Sequence, residues 1–214
     1  MRLHDYAASG NCYKVRLLLA LLDRPLERVS VDIFAGDTLS AEFGRLNPAR
    51  ETPVLELDDG SALVQSAAIL WFLAEGTALL PQDPFGRAQV VRWLQFEQEW
   101  VMSGVGAARF YTLTGRNPGA LPARVARGRT ALETLERDLA GRSWIVGDRP
   151  SIADLALFAY AHVAPDAGID LAPWPGVRAW IGRIEALPGF MDDYVPYPAN
   201  SRPGAGRSIY DGGN

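Results

Sequence analysis

Strand-like hydrophobic patterns are confined to the first eighty residues of this sequence. Short alternating segments such as LERVSVDI are separated by helical stretches, the first of which places Val15 and Leu18 on one apolar face. The predicted order is strand, helix, strand, helix, strand, strand, helix, which is a βαβ unit followed by a hairpin around the turn sequence DDG and a packing helix. Residues 1–80 are therefore predicted to form a layered α/β domain.

Beyond this domain the pattern is helical almost throughout. A segment rich in proline and glycine, LLPQDPFG, marks a linker, and residues 86–195 after it are predicted to form an all-α bundle. The last residues, 196–214, are rich in proline and glycine and have little to bury, which predicts a flexible tail. The predicted fold class is thus α/β followed by all-α. The bundle helices are expected near 85–111, 121–140, 151–166 and 174–187.

One helix of the bundle has a recognisable start. Ser151 and Asp154 form an S-x-x-D box at the beginning of the apolar run SIADLALFAYAH. In such a box the serine side chain accepts a hydrogen bond from the first turn, and the acidic side chain accepts one from the serine backbone. The carboxylate is therefore assigned to helix capping rather than to catalysis.

Composition argues against several classes of function. The 214 residues carry a net charge of −4 and no basic run, so neither a nucleic acid nor a membrane partner is predicted. Two histidines and one cysteine are too few for a zinc site of the usual ligands, and no metal is expected. The single cysteine, with no visible signal peptide or membrane-spanning run, predicts a cytoplasmic protein.

The segment that carries the most chemistry is YAASGNCYKVRLLLALL, where a strand gives way to the first helix. Ser9 and Asn11 are suited to cap that helix by accepting hydrogen bonds from its free amides. The same helix end can stabilise an anion such as a thiolate. Lowering a thiol pKa by about two units needs roughly 2.7 kcal/mol, which two or three donors supply. Capping and thiol activation both remain open.

Ser9 and Cys12 have the spacing of the two cysteines in a C-x-x-C redox pair, with a serine hydroxyl in place of the first thiol. The first position of such a pair is the exposed, nucleophilic one, and the second faces inward. Cys12 is therefore either a small buried residue, which is the favoured interpretation, or a redox group.

Four segments resemble the glutathione S-transferase superfamily, and specifically its bacterial cytosolic members. They correspond to the active-site helix (SGNCYKVRLLLALL), the NP…PVL segment (NPARETPVLELDDG), the helix that binds a glutathione carboxylate (QSAAILWFLAE) and the capping motif of the bundle (SIADLALFAYAH). The resemblance covers the chain from Arg2 to about Tyr194. It implies a thioredoxin-like βαβαββα domain, an α-helical domain, glutathione as co-substrate and a homodimer.

The resemblance also implies roles for individual residues. Ser9 matches the hydroxyl residue that activates the thiol, and Asn11 matches a second donor near the sulfur. The remaining matches in the glutathione site are Thr52, whose backbone pairs with the cysteinyl part, Pro53, a cis-proline, and Gln65 and Ser66, which hold the γ-glutamyl group.

One position departs from the family pattern. Many relatives carry a lysine that reaches the glycine carboxylate of glutathione, and Glu51 stands at that position here. A carboxylate facing a carboxylate weakens binding. The neighbouring Arg50 is the candidate to turn inward and replace the lysine in the glutathione site.

The resemblance places the second substrate between the domains, against the first bundle helix. Met102, Phe110 and Tyr111 of that helix either line this pocket or belong to the core, and Arg109 is either the cation facing the cleft or a surface arginine. The residues assigned to the pocket are Met102, Arg109 and Tyr111. Gly104 and Gly106 are poor helix formers, so they serve close packing or a kink, or they leave room for a ligand.

The function predicted from the sequence is a glutathione S-transferase-like enzyme. It would hold the glutathione thiol as a thiolate for attack on a small apolar electrophile. Reduction of a disulfide uses the same thiolate, and conjugation is favoured because the attacking position is a serine rather than a cysteine. A non-catalytic interaction module on the same fold is the third alternative, since fold does not determine function.

Overall fold

The computed structural model describes residues 1–211 of the chain. Its N-terminal part contains one four-stranded sheet in the order β2-β1-β3-β4. Strand β1 pairs in parallel with β2 and antiparallel with β3, and β3 pairs antiparallel with β4. The strands are β1 (Arg2–Asp5), β2 (Glu27–Ser30), β3 (Val54–Glu56) and β4 (Ala62–Val64).

Three α-helices accompany the sheet, and five further α-helices form the bundle within residues 1–211. The order of elements is the predicted one, and the fold class, α/β followed by all-α, is confirmed. The N-terminal helices are α1 (Gly10–Leu21), α2 (Ala41–Leu46) and α3 (Ser66–Ala74). The bundle helices are α4 (Pro84–Phe96), α5 (Ala107–Thr114), α6 (Leu121–Asp138), α7 (Ile152–Ala161) and α8 (Pro175–Glu185).

The first bundle helix is not a uniform α-helix. Between α4 and α5 the chain continues as a π-helix over Glu97–Gly106. Wide turns of this kind occur in proteins mostly as short insertions, frequently at functional sites. The predicted single helix over 85–111 is therefore present, with a different hydrogen-bonding pattern in its middle third.

The two glycines of this π-helical stretch serve close packing. A Cβ atom at Gly104 would lie 2.6 Å from the backbone nitrogen of Gly128 on α6, and one at Gly106 would lie 2.8 Å from the ring of Tyr160 on α7. Both distances are far shorter than a carbon contact allows. Of the alternatives left open by the sequence, the structure supports packing for both positions, and Gly106 also borders the cavity described below.

Helices α1 and α7 lie at the centre of the molecule. All ten residues of α7 are buried, and most of α1 is buried as well. One hydrophobic cluster extends from Leu3 on β1 through Leu17 on α1 and Phe158 on α7 to Trp180 on α8. Hydrophobic burial of this kind is the main favourable term in folding, and here it joins sheet and bundle.

The capping box at the start of α7 is confirmed. The Ser151 hydroxyl accepts a hydrogen bond from Ala153 N (3.3 Å), and the Asp154 carboxylate accepts one from Ser151 N (2.9 Å). Asp154 also accepts from Ile145 N (2.9 Å) and from Trp180 Nε1 (3.0 Å), and it is fully buried. This carboxylate therefore fixes a loop and α8 onto α7.

The C-terminal segment differs from the sequence-based expectation. A flexible tail over 196–214 is wrong for residues 196–211, because this segment folds back onto the bundle. Arg116 is buried beneath it, and the guanidinium donates to the carbonyl oxygens of Ser201 (2.7 Å) and Tyr210 (3.3 Å) and pairs with Asp211 (2.7 Å). Residues 212–214 of the predicted tail lie outside the described residues.

The physical reason is a requirement on Arg116 that the sequence does not display. A buried guanidinium has five N–H donors, and leaving them unpaired is costly. Backbone carbonyls of a segment poor in apolar residues meet that requirement.

Among residues 1–211, none of the helices is long and apolar enough to cross a membrane.

Replacing Asp154 by alanine is expected to lower the free energy of unfolding by about 2–4 kcal/mol, because the cap is lost and buried donors lose their acceptor. Urea denaturation followed by circular dichroism measures this change. The control is Asp148→Ala, an exposed aspartate of the preceding loop, for which a change within about 0.5 kcal/mol is expected. Equal effects of the two substitutions would contradict the capping role.

Candidate functional site

A cavity of about 680 Å³ lies between the N-terminal domain and the bundle. Its walls come from the start of α1, the loop before β3, the start of α3, the π-helical stretch with α5, and the C-terminal segment. Apart from Cys12, the sequence predicts ten site residues, and seven of them border the polar side of this cavity. They are Ser9, Asn11, Arg50, Thr52, Pro53, Gln65 and Ser66.

Ser9 is the N-cap of α1 and also faces the cavity. Its hydroxyl oxygen accepts a hydrogen bond from Cys12 N (3.3 Å). A serine hydroxyl has one O–H donor besides its acceptor capacity, so capping leaves the donor available. The two interpretations of Ser9, capping and donation to an anion, are therefore compatible in this geometry.

Gly10 allows the start of α1 to approach the bundle. A Cβ atom at this position would clash with the Tyr160 ring on α7 and with the Tyr194 hydroxyl. Any larger residue would therefore push the helix N-terminus away from α7. The close contact keeps the first-turn amides of α1 at the cavity wall.

Asn11 lies beside Ser9 on the same wall. Its side-chain oxygen accepts hydrogen bonds from Lys14 Nζ (2.8 Å) and from Gln98 Nε2 (3.2 Å). Lys14 is fully buried, and neither its burial nor its contact with Asn11 is evident from the sequence pattern. Lysine at the apolar start of a buried helix is the signal that could have indicated it.

Cys12 does not belong to the cavity wall. It is fully buried, its sulfur accepts a hydrogen bond from Tyr6 N (3.4 Å), and burial raises the pKa of its thiol to about 11. A thiol with a raised pKa and no access is a poor nucleophile. The possible redox role of Cys12 is therefore wrong on this geometry, and the favoured alternative, a small buried residue, matches the structure.

The loop before β3 contributes the second wall of the polar side. The peptide bond between Thr52 and Pro53 is cis, as the resemblance implied, and both residues border the cavity. Glu51 precedes them, is exposed, and lies on the cavity wall, where its carboxylate accepts from Gln65 Nε2 (3.4 Å). This arrangement places a negative charge at the edge of the site.

The head group of Arg50 is bound by backbone carbonyls of the N-terminal domain. It borders the cavity, but its Nη1 donates to the carbonyl oxygens of Thr38 (2.7 Å) and Ser40 (2.9 Å). The guanidinium also lies against Gly44 of α2, where a Cβ atom would be 2.9 Å from Nη2. These carbonyls and α2 hold the Arg50 head group, and its role in the glutathione site stays a prediction.

Gln65 and Ser66 form the start of α3 at the cavity wall. Ser66 is the first helical residue and is buried, and Gln65 precedes it with φ of 70° and ψ of 118°. Positive φ at a residue other than glycine is strained and recurs at functional sites. This backbone conformation turns the chain sharply at Gln65, so that Ser66 at the N-terminus of α3 borders the cavity, a position suited to a carboxylate.

The predicted second-substrate residues separate into two groups. Met102 and Tyr111 line the cavity, as expected. Arg109 does not, and its assignment to the pocket is wrong: it is 3% exposed, its Nε donates to Asp166 (3.0 Å), and it stacks 4.5 Å from the centre of the Tyr194 ring. Its side chain leaves α5 on the face that packs on the turn after α7.

The apolar side of the cavity contains residues that the sequence analysis did not assign. Phe110 packs against Tyr197 (ring centroids 5.3 Å apart) and Tyr210 (5.4 Å), and both tyrosines come from the C-terminal segment. Two tyrosines in a segment otherwise rich in proline and glycine are the signal that could have found them. The unassigned lining residues on this side include Tyr6, Ile33, Tyr160, Tyr197 and Tyr210.

These observations define a two-domain protein whose cavity joins anion-binding helix ends to an aromatic wall. Family models for the glutathione S-transferase N-terminal domain and C-terminal domain match residues 8–75 and 118–183. The chain therefore belongs to the glutathione S-transferase family. Within residues 1–211, no group of three or more histidine, cysteine, aspartate or glutamate side chains is suited to a metal ion.

Individual relatives agree with this family. The chain is 43% identical in sequence to a glutathione S-transferase from Xanthobacter autotrophicus whose crystal structure is known. The two structures superpose with a TM-score of 0.85 over 89% of this chain and 95% of that one. It is 34% identical over 202 residues to the maleylacetoacetate isomerase of Rhizobium meliloti (88% of this chain, 93% of the relative). It is 28% identical to the disulfide-bond oxidoreductase YfcG of Escherichia coli (86% and 89%).

Replacing Arg116 by methionine is expected to release the C-terminal segment from the cavity. Hydrogen bonds to a charged group contribute about 1.5–3 kcal/mol each, so the open form should become at least about tenfold more populated. Limited trypsin digestion at the Arg207–Ser208 bond, followed by mass spectrometry, measures this population. The control is the exposed Arg149→Met; equal cleavage rates for both variants and the wild type would contradict the role of Arg116.

Proposed function

We propose that this protein binds glutathione in the cavity and holds its sulfur as a thiolate for attack on a small apolar electrophile. The observation that carries the proposal is the convergence of Ser9, Asn11, Thr52, Gln65 and Ser66 on one cavity. The first and last of these are separated by more than fifty positions in the sequence. A scaffold that served only protein–protein contacts would have no need for this convergence.

The start of α1 supplies the donors that a thiolate needs. A free thiol has a pKa of about 8.5, so only a few per cent is ionised at neutral pH. The Ser9 hydroxyl, the Asn11 amide and the first-turn amides of α1 all border the same part of the cavity. Charge-assisted hydrogen bonds of about 1.5–3 kcal/mol each, together with the helix dipole, are sufficient to lower that pKa by about two units.

The start of α3 is proposed to bind the γ-glutamyl carboxylate. Ser66 borders this part of the wall, and its hydroxyl, which donates to Asn11 Oδ1 (3.4 Å), would donate to the carboxylate instead when glutathione binds. Gln65 is placed to contact the γ-glutamyl amino group through its side-chain oxygen, because its nitrogen already donates to Glu51.

The aromatic side of the cavity is proposed to receive the electrophile. Met102, Phe110 and Tyr111 from the bundle face Tyr197 and Tyr210 from the C-terminal segment. Walls of this kind favour a flat, apolar molecule, because aromatic rings offer large contact areas and stacking. Its reactive carbon would then lie next to the start of α1.

Disulfide reduction is the second candidate, because the Escherichia coli relative is named a disulfide-bond oxidoreductase. It requires the same thiolate and differs in the second substrate. The name of the Rhizobium meliloti relative adds isomerisation to the candidate reactions.

A cytoplasmic location, predicted from the single cysteine, stays a prediction.

Calorimetric titration with glutathione tests the proposal. Ser66→Ala should weaken binding by about 10–100-fold, since a hydrogen bond to a charged carboxylate is lost. The control Ser143→Ala removes an exposed serine hydroxyl far from the cavity and should bind as the wild type does. An assay with an aromatic electrophile, a glutathione mixed disulfide and an activated cis double bond then assigns the reaction.

The variant Glu51→Lys separates a weakened site from an absent one. It replaces the carboxylate at the cavity edge by the cation found in many relatives, and tighter binding of glutathione is expected. If neither the wild type nor Glu51→Lys gives a heat of binding at millimolar glutathione, the proposed function is contradicted and an interaction module is favoured.

We also propose a homodimer formed through α3 and α4. The large apolar side chains of Phe72 on α3 and Val91 on α4 are 47% and 45% exposed. The two helices are neighbours, because Arg87 of α4 stacks on Trp71 of α3 (4.8 Å to the ring centre), and Val91 lies one turn beyond Arg87. Exposed apolar groups on adjacent helices are typical of protein interfaces.

Replacing Phe72 by glutamate is expected to shift the chain from dimer to monomer, because it would place an unpaired charge in an apolar contact. Sedimentation velocity measures the state at several concentrations. The matched control is Phe85→Glu, a 73%-exposed phenylalanine at the first turn of α4. A wild type that is monomeric, or a Phe72→Glu variant that stays dimeric, would contradict this interface.

A further inference from the structure

A buried ion pair lies directly behind the polar wall of the cavity. Lys14 on α1 and Glu97 at the start of the π-helical stretch are each about 1% exposed, and Lys14 Nζ lies 2.6 Å from Glu97 Oε2. The second carboxylate oxygen of Glu97 is buried with no hydrogen-bond partner among residues 1–211. Buried ion pairs seldom stabilise a fold more than an apolar pair of similar volume does. A role beyond stability is therefore worth seeking.

The pair is connected to the cavity through one side-chain amide. Lys14 Nζ donates to Asn11 Oδ1 (2.8 Å), and Gln98 Nε2 donates both to Asn11 Oδ1 (3.2 Å) and to Glu97 Oε2 (3.0 Å). Asn11 and Gln98 border the cavity, whereas Lys14 and Glu97 do not. The four side chains thus form a network that extends from the buried pair to the site.

The donors of this network fix the orientation of the Asn11 amide. A lysine head group facing Glu97 offers Asn11 a donor, so the atom of Asn11 that it contacts is the oxygen. The Asn11 Nδ2 group then takes the opposite position and has no acceptor among the described residues. A flipped amide would bring nitrogen against the Lys14 and Gln98 donors and would present an oxygen to the cavity.

We propose that Lys14 and Glu97 are positioning residues that hold Asn11 with its N–H groups directed at the glutathione sulfur. The inference rests on the proposed function, in which Asn11 is a donor to the thiolate. An amide turned the other way would place a partial negative charge next to the sulfur and disfavour the thiolate. The buried pair therefore acts on the reaction through the orientation of Asn11.

The orientation does not depend on where the proton of the pair resides. Burial lowers the pKa of Lys14 and raises the pKa of Glu97, so both shifts favour the neutral forms. A neutral amine still has two N–H groups, and its lone pair accepts from a protonated Glu97. Lys14 can therefore donate to Asn11 in either state.

Two variants separate orientation from charge. Lys14→Met combined with Glu97→Leu removes both partners, which avoids an unpaired buried charge, and leaves Asn11 without its principal donor. Glu97→Gln is isosteric and leaves Lys14 to donate to Asn11. Ultraviolet absorbance of the thiolate, titrated against pH with glutathione bound, reports the thiol pKa in each variant.

The double variant is expected to raise the pKa of bound glutathione by about one unit, which is tenfold less thiolate at neutral pH, with a similar loss of kcat/KM and little change in affinity for glutathione. Glu97→Gln is expected to keep the wild-type pKa. A double variant that ionises glutathione as the wild type does, or a full-unit shift in Glu97→Gln, would overturn the inference. If the double variant does not fold, Lys14→Met combined with Glu97→Gln takes its place, because it removes the same donor and keeps a neutral polar side chain at position 97; an unchanged thiol pKa is again the contradicting result.

The matched control is Tyr13→Phe, next to Lys14 on the same helix. This substitution deletes the hydroxyl of a buried tyrosine that donates a hydrogen bond to the Met191 carbonyl oxygen (2.8 Å). Tyr13 does not border the cavity. Lower stability with an unchanged thiol pKa is expected. A failure of the proposed function is distinguishable, because the wild type and Asn11→Ala would then show the same thiol pKa or no bound thiolate at all.

Discussion

Helix α1 is packed between the sheet and the bundle, so that most of its residues are buried. It touches α3 on one side and α7 on the other, and Gly10 lets its first turn meet the ring of Tyr160 without a clash. A helix held from both domains cannot shift without opening the core, because protein interiors are close-packed. The start of α1 is therefore a rigid platform, and the positions of Ser9 and Asn11 depend on it.

Two buried charged groups, Asp154 and Arg116, bind partners in particular parts of the structure. Asp154 satisfies donors from three segments at the start of α7, and Arg116 binds the carbonyls of the C-terminal segment. The pair of Lys14 and Glu97 differs, because an oxygen of Glu97 remains unpaired and the network ends at the cavity. Burial of a polar group is costly unless it is paired, so the unpaired oxygen of Glu97 behind the site points to a role other than stability.

Much of the fold was predictable because the signals are local. Alternation and helical spacing gave the order of elements, and the S-x-x-D spacing predicted the cap formed by Ser151 and Asp154. The polar residues of the cavity were found through their motifs, since Thr52, Pro53, Gln65 and Ser66 follow family patterns. The misassigned residue, Arg109, is a long cation whose direction is set by an acceptor elsewhere in the chain, Asp166.

The sequence by itself determined the class of fold, the helix starts and the chemical types of the groups at the site. Only the tertiary structure decided which groups face one another across the cavity, because these contacts join segments far apart in the chain. Tyr197 and Tyr210 became a cavity wall because the buried Arg116 required acceptors. The orientation of Asn11 was likewise decided by Lys14 and Gln98, whose donors converge on one oxygen atom only after the two domains pack together.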